Sequence, residues 1–153
     1  MNAAVPPNGG AVFRRLVAVA LLLPSVAIAQ SQKEFASRRA ALRKDFPDGV
    51  RVALGDHEPP QDYIAFSQAP SFYYLTGFKE PDAALVMVKK SGRISATMFV
   101  EPNQPNREVW TGVRLGTRGI ETLTGIRGRS SDALPAVLDS LAEELEALVG
   151  TAV

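Results

Sequence analysis

The only histidine of the chain stands between two carboxylates, in the run Asp56-His57-Glu58. Imidazole and carboxylate groups are common zinc ligands, so this run is the first candidate for a metal site. In an extended chain, however, successive side chains point to opposite faces, and His57 then points away from its two neighbours. Three adjacent ligands do not converge easily on one ion, and the pattern therefore favours a solvated loop.

His57 could also act as the base of a Ser-His-Asp hydrolase, with Ser67 or Ser71 as nucleophile and Asp62 behind the imidazole. The G-x-S-x-G turn that exposes the serine of many hydrolases does not occur in this sequence. The glycines and arginines of residues 125–129 lack the pattern of a phosphate-binding loop and are typical of an exposed basic loop. The sequence thus predicts no catalytic residue and no metal ligand.

Trp110 is the sole tryptophan, and it lies among glycines and prolines, away from the clearly periodic segments. Large aromatic side chains anchor contacts at protein surfaces, but they also fill protein cores. The residue type leaves both interpretations of Trp110 open.

Two amphipathic helices are predicted at the ends of the domain. A capping box at Ser31–Glu34 indicates the start of the first helix, which Pro47-Asp48-Gly49 ends. Leucines at steps of three and four predict the last helix, which Gly150 terminates. These leucines are Leu134, Leu138, Leu141, Leu145 and Leu148.

The segments between these helices predict strands. Residues 50–54 form one, and the apolar run 83–88 suits a strand that is covered on both faces. A polar turn at residues 89–93 then connects this strand to an antiparallel partner at 94–100. The aromatic-rich segment 64–78 is expected to be buried. Strands that alternate with covering helices predict an α/β fold.

The first 29 residues are typical of an export signal. Arg14-Arg15 precedes the apolar run Leu16–Leu23, and Ala27 and Ala29 provide the small residues of a cleavage site. The run is less than half of the roughly 20 residues that span a bilayer, so a retained membrane anchor is the weaker interpretation. We expect cleavage after Ala29, a periplasmic or secreted location, and a mature domain of residues 30–153 without a membrane contact.

The composition of the chain excludes some partners. Loss of the two leader arginines changes the formal net charge from +1 to −1, which gives no electrostatic basis for nucleic-acid binding. The chain has no cysteine, so an exported form must rely on its core or on association for stability.

Three stretches of the sequence resemble the N-terminal domain of aminopeptidase P, the Xaa-Pro aminopeptidases. The longest is residues 66–83, which contain the run F-Y-Y-L-T-G-F-K-E-P. Residues 35–42 are similar to the opening helix of that domain, and residues 108–116 are similar to its W-x-G-x-R-x-G stretch. The family commonly has an arginine where Ser67 stands, and the ion pair of that arginine cannot form here.

The resemblance implies a mixed β-sheet flanked by α-helices, as in the creatinase and prolidase N-terminal domains. It also implies that two metal ions, usually manganese, belong to a separate catalytic domain of pita-bread fold, which residues 30–153 do not include. In the family, the N-terminal domain supports oligomerisation and narrows access to the active site. The tryptophan of the W-x-G-x-R stretch lies near the catalytic pocket of a neighbouring subunit, and Trp110 matches it, which implies a substrate-access role in trans.

These implications predict the N-terminal domain of an exported, manganese-dependent Xaa-Pro aminopeptidase that is inactive without its catalytic domain. We expect the chain to be a truncated product, a fragment or one half of a split enzyme. Its partners would be a second copy or a catalytic domain, and a peptide would bind only through that partner. The alternative is a stand-alone periplasmic interaction module with no peptidase role.

Overall fold

The computed structural model describes residues 32–61 and 63–150. Helix α1 covers residues 32–45, in agreement with the helix expected before Pro47. Ser31 of the capping box, the export signal and its cleavage site at Ala27 and Ala29 lie outside the described residues. In the part of the chain that is described, no helix is both long enough and apolar enough to cross a membrane.

The centre of the fold is a four-stranded mixed sheet in the order β1-β2-β3-β4. The strands are β1 (Gly49–Leu54), β2 (Ala84–Lys90), β3 (Arg93–Val100) and β4 (Arg127–Ser130). Strand β2 pairs antiparallel with both β1 and β3, whereas β3 and β4 pair parallel. The remaining helices are α2 (Pro70–Thr76), α3 (Pro105–Thr111), α4 (Gly116–Thr124) and α5 (Leu134–Gly150). The predicted α/β fold, a mixed sheet flanked by helices, is confirmed.

The hairpin between β2 and β3 forms where the sequence predicts it. Lys90 pairs with Arg93, and Ser91 and Gly92 between them both have positive φ, 50° and 76°. Two consecutive residues of positive φ form the turn whose twist matches that of the flanking strands. The carboxylate of Asp48 accepts a hydrogen bond from the Ser91 amide at 2.5 Å and fixes the turn to the start of β1.

Strand β2 is covered on both faces, as its continuous apolar run predicts. Leu85 and Met87 point into a core that includes Phe72 of α2 and Ile120 of α4. Ala84, Val86 and Val88 point to the other face, where α5 covers them with a row of apolar side chains. Burial of each large apolar side chain contributes roughly 1.5–3 kcal/mol, so these two layers supply much of the stability.

The expectation that residues 64–78 are buried is only partly correct. Phe72 and Phe78 are buried, but Ile64 and Tyr74 are exposed. The reason is that residues 70–76 form helix α2, which turns one face to the sheet and the opposite face to solvent. Arg38 of α1 stacks on the exposed Tyr74 ring at 4.5 Å.

The expectation of an exposed basic loop at residues 125–129 is correct for the exposed Arg127 and Arg129 but wrong for the loop. Residues Arg127–Ser130 form β4, which pairs with the end of β3, and Ile126 just before it is buried. Gly128 permits this arrangement, because a Cβ there would stand 2.1 Å from the carbonyl oxygen of Thr117 in α4. The close approach of helix and strand thus requires glycine at this position.

Candidate functional site

The candidate site is the Trp110 segment, residues 101–116, which leads from β3 to α4. Its helix α3 begins with Pro105, whose fixed φ suits the first helical turn. The helix ends at Gly112, whose φ of 77° is one that L side chains rarely adopt. No residue of α3 is buried. The segment therefore lies on the surface of the domain rather than within its core.

Apolar side chains of this segment face solvent. Trp110 is 89% exposed, and Val109 and Val113 are exposed nearly as much. The interpretation of Trp110 as a core residue is thus wrong for this fold. Exposed apolar side chains that lie close together on a folded domain are typical of a contact surface. The Trp110 segment therefore has the properties of a site that another molecule covers.

Arg114 holds the segment to the domain. One nitrogen of its guanidinium, Nη2, donates to both carboxylate oxygens of Glu58, at 3.1 and 3.2 Å. The side chain of Arg114 is only 12% exposed, and its backbone oxygen accepts a hydrogen bond from Asn103 at 2.6 Å. Two residues of the W-x-G-x-R stretch thus have different roles. Arg114 anchors the segment, and Gly112 permits the turn that leaves Trp110 in solvent.

Glu80 forms a second tether. Its carboxylate accepts a hydrogen bond from the amide of Leu115 at 3.0 Å. Burial raises the pKa of this carboxyl above its usual value, although the Leu115 amide and the charge of Arg114 oppose the shift. Gln68 fixes the backbone at Glu80, because its side-chain amide nitrogen donates a hydrogen bond to the Glu80 backbone oxygen at 2.8 Å. The contacts connect the Trp110 segment to the loops that follow β1 and α2.

These tethering residues were not identified from the sequence. The sequence pattern indicates Glu58 only as a candidate metal ligand, and it indicates no role for Gln68. Glu58 and Arg114 are 56 positions apart, so no local pattern could indicate their contact. The one available signal was that a glutamate and an arginine lie in proline-rich and glycine-rich loops.

The run Asp56-His57-Glu58 does not gather around one point. His57 Nδ1 lies 2.5 Å from Asp82 Oδ1, and Glu58 instead contacts Arg114. The hydrogen bond and the charge of Asp82 raise the pKa of the fully exposed imidazole above 6.5. The ring of His57 is bonded to Asp82 rather than to a serine.

Within the described ranges, 32–61 and 63–150, no group of three or more histidine, cysteine, aspartate or glutamate side chains could hold a metal ion. The manganese that the resemblance implies requires several converging ligands and a bound water. The described residues do not fit that requirement, so no catalytic step can be assigned to them through a metal. What they do provide is a tethered aromatic surface.

Comparison with known proteins identifies the domain. The family "Aminopeptidase P, N-terminal domain" matches residues 35–149. The chain belongs to this family. The match contains most of α1, the whole sheet and the Trp110 segment, so it covers every element that builds the candidate site.

The relatives of this aminopeptidase P domain are peptidases. Xaa-Pro aminopeptidase 3 of Dictyostelium discoideum is 40% identical over 99 residues, which are 61% of this chain and 19% of that protein. Xaa-Pro aminopeptidase of Haemophilus influenzae is 38% identical over 84 residues, 54% of this chain and 20% of the relative. The chain thus spans about a fifth of the length of these relatives. They give no support to the alternative of a stand-alone interaction module.

A solved structure gives the same family and fold. The low-pH form of aminopeptidase P from Escherichia coli matches 72% of this chain and 26% of its own length, with a TM-score of 0.65 and 27% identity. The resemblance stated from the sequence is therefore confirmed, and so is the fold that it implied.

Proposed function

We propose that this chain is the substrate-access and oligomerisation domain of an exported Xaa-Pro aminopeptidase. In this proposal Trp110 lies at the entrance of a catalytic pocket that a separate domain supplies. That catalytic domain would hold the metal ions, which the family resemblance implies are manganese. It would also hydrolyse the peptide bond between the N-terminal residue and proline. The single observation that carries the proposal is the exposure of Trp110 on a segment that Arg114 and Glu80 hold in place.

The physical chemistry of the Trp110 segment supports such a role. An indole ring offers a large apolar contact area with few rotatable bonds, so it orders at low entropic cost when a partner covers it. The tethers fix the backbone on both sides of α3 before the partner arrives, which lowers the cost of association further. Both properties suit a residue that narrows an entrance.

The access role can be tested in a chimera of Escherichia coli aminopeptidase P, in which residues 35–149 replace the matching domain. We expect Trp110→Ala to reduce kcat/KM for an Xaa-Pro peptide roughly tenfold, which is about 1.4 kcal/mol of lost transition-state binding. The matched control is Tyr63→Ala, which removes an equally exposed aromatic ring, 86% exposed, from another loop. Equal kinetics of the two variants would contradict the proposal, as would parallel losses of melting temperature and activity in Trp110→Ala.

The need for a separate catalytic domain can be tested on the chain itself. The purified chain with added manganese should not hydrolyse Xaa-Pro peptides, because the described residues offer no converging metal ligands. Turnover that a chelator abolishes would overturn this part of the proposal.

Export can be tested by following the N-terminus in a bacterial host. The mass of the periplasmic product should correspond to cleavage after Ala29, and an Ala29→Arg variant should accumulate as a precursor because the cleavage site requires small residues. Full-length protein in the cytoplasm for both forms would contradict export.

A further inference from the structure

The outer edge of β1 is open in the described part of the chain. Strand β1 is the first in the sheet order, and β2 occupies its inner edge over residues Gly49–Leu54. The chain on both sides of β1 is tied inward, since Asp48 bonds to the β2–β3 turn and Gly55 donates to the Ala83 carbonyl at 2.7 Å. The outer N–H and C=O groups of an edge strand are a template for another strand.

On the face toward α5, the side chains of this edge strand are apolar and only partly covered. Val50, Val52 and Leu54 alternate along β1 and point to the face that α5 covers, in line with Val86 of β2. Helix α5 reaches Val50, but Val52 remains 42% exposed and Leu54 60% exposed. Edge strands in soluble proteins usually carry a charge or a proline that discourages pairing. This edge places its one charge, Arg51, on the opposite face, over the Phe46 ring at 5.0 Å.

Beside this edge lies a cavity of about 420 Å³ between the sheet and α5. Its apolar wall consists of Val50 and Val88 of the sheet and of Leu141 and Leu145 of α5, and charged side chains, among them Lys90 and Glu144, line its rim. The cavity borders one end of β1, whereas the exposed Leu54 lies at the other end. An apolar side chain that projects at one end and a recess with an apolar wall at the other end are complementary under a two-fold rotation.

We infer that two copies of this chain pair through β1, antiparallel, about a two-fold axis at Val52, so that their sheets form one continuous sheet. In this register Val52 opposes Val52 of the second copy, and Val50 opposes Leu54 of the second copy. The Leu54 side chain then enters beside Val50 at the mouth of the cavity, and by symmetry this contact occurs twice. Arg51 opposes Ala53, so no like charges meet.

Neighbouring registers fit less well. An axis at Arg51 would place two guanidinium groups directly opposite each other, which destabilises a strand pair. An axis at Ala53 would leave much of β1 without a partner. Registers between these positions would oppose the apolar face of one copy to the polar face of the other. The alternation and charge of β1 therefore select Val52 as the centre.

A cysteine-free chain permits a direct test of this register. In the full chain, Val52→Cys places its thiols opposite each other, with Cα atoms about 4.5–5.5 Å apart, within the range that a disulfide spans. The matched variant Leu54→Cys is more exposed, but its two thiols would lie about 14 Å apart along the strand. Under mild oxidation we expect Val52→Cys to form a covalent dimer at least about tenfold faster than Leu54→Cys. Equal rates, or no dimer in either variant, would overturn the inference.

Light scattering of the full chain supplies a second measurement. Val52→Lys opposes two ammonium groups at the axis and should shift the chain toward monomer, whereas Tyr63→Lys should not. The β1 pairing rests on the oligomerisation in the proposed function and names the surface through which it occurs. The pairing and the proposed function can nevertheless fail separately. A dimer that survives Val52→Lys would overturn the β1 pairing and leave oligomerisation standing. Selective crosslinking of Val52→Cys, without any kinetic effect of Trp110→Ala, would support the pairing and remove the access role.

Discussion

The sheet and the Trp110 segment of this domain are held by different forces. Strand β2 is sandwiched between two apolar layers, and its side chains from Ala84 to Met87 are buried. In the Trp110 segment α3 buries no residue, and the contacts that fix it are an ion pair and hydrogen bonds to side chains. Apolar burial stabilises the body of the domain, and polar tethers position a surface that contributes little to folding.

This difference assigns stability mainly to the sheet and the proposed function to the Trp110 segment, and substitutions can test that assignment. Changes in the sheet core should lower the free energy of unfolding strongly, whereas changes in the Trp110 segment should act locally. A substitution that violates this division would show that the two regions are coupled.

The largest effect is expected from Phe72→Ala, because the Phe72 ring is fully buried between α2 and the sheet. Loss of a buried phenylalanine ring leaves a cavity and should reduce the free energy of unfolding by about 3–5 kcal/mol. Urea denaturation followed by circular dichroism measures this loss. The exposed Tyr63→Ala serves as the control and should change stability by less than about 0.5 kcal/mol. A loss below about 1 kcal/mol for Phe72→Ala would contradict the core assigned here.

A smaller loss is expected from Gly128→Ala. The added methyl group would meet the Thr117 carbonyl oxygen and the Ile120 side chain, so α4 must move away from β4. Overpacking of this kind destabilises by about 1–3 kcal/mol. The same urea titration measures it, and hydrogen exchange should show faster exchange in β4 than in β1. An unchanged midpoint would show that helix and strand are not in close contact.

Arg114→Ala tests the tether itself. The pair with Glu58 is partly exposed to solvent, so its loss should lower global stability by only about 1 kcal/mol. The Leu115 amide should nevertheless exchange faster, and the fluorescence anisotropy of Trp110 should fall, because the segment loses its anchor. Arg107→Ala, which removes a more exposed ion pair to Glu101 in the same segment, should leave both signals unchanged. Identical signals for the two variants would refute the anchoring role of Arg114.

The smallest effect concerns His57, whose imidazole is fully exposed. Asp82 raises its pKa above 6.5 in the folded chain, so the stabilisation from this pair is complete below pH 6.5. It is lost as the pH rises through the raised pKa. An NMR titration of this sole histidine should show the elevated pKa, and Asp82→Asn should return it toward 6.5. A pKa that Asp82→Asn does not lower would exclude the pair.

Several elements could be predicted from the sequence because local patterns encode them. The apolar spacing of α1 and α5 has the helical period, and the run that forms β2 is followed by Ser91 and Gly92, which suit a tight turn. The family resemblance can be detected in the sequence for a similar reason, since the motifs that carry it are short continuous runs of residues. Each of these signals lies within about 20 neighbouring residues.

Other elements depend on partners that are distant in sequence. Strand β4 contains a glycine and two arginines, and it is a strand only because β3 lies beside it. The aromatic density of α2 predicts a buried segment, but it does not reveal which face of the helix meets the sheet. In both cases tertiary packing decided what local propensity left open.

The sequence by itself thus determined the α/β fold, the hairpin, the family and the candidate Trp110, because each is written in residue types and short spacings. Only the tertiary structure decided that Trp110 faces solvent and that Glu58, Glu80 and Arg114 fix the segment around it. Exposure and ion pairing depend on where the folded chain brings distant residues together. No spacing along the chain specifies a contact between Glu58 and Arg114, since the fold alone places them within 3.1 Å.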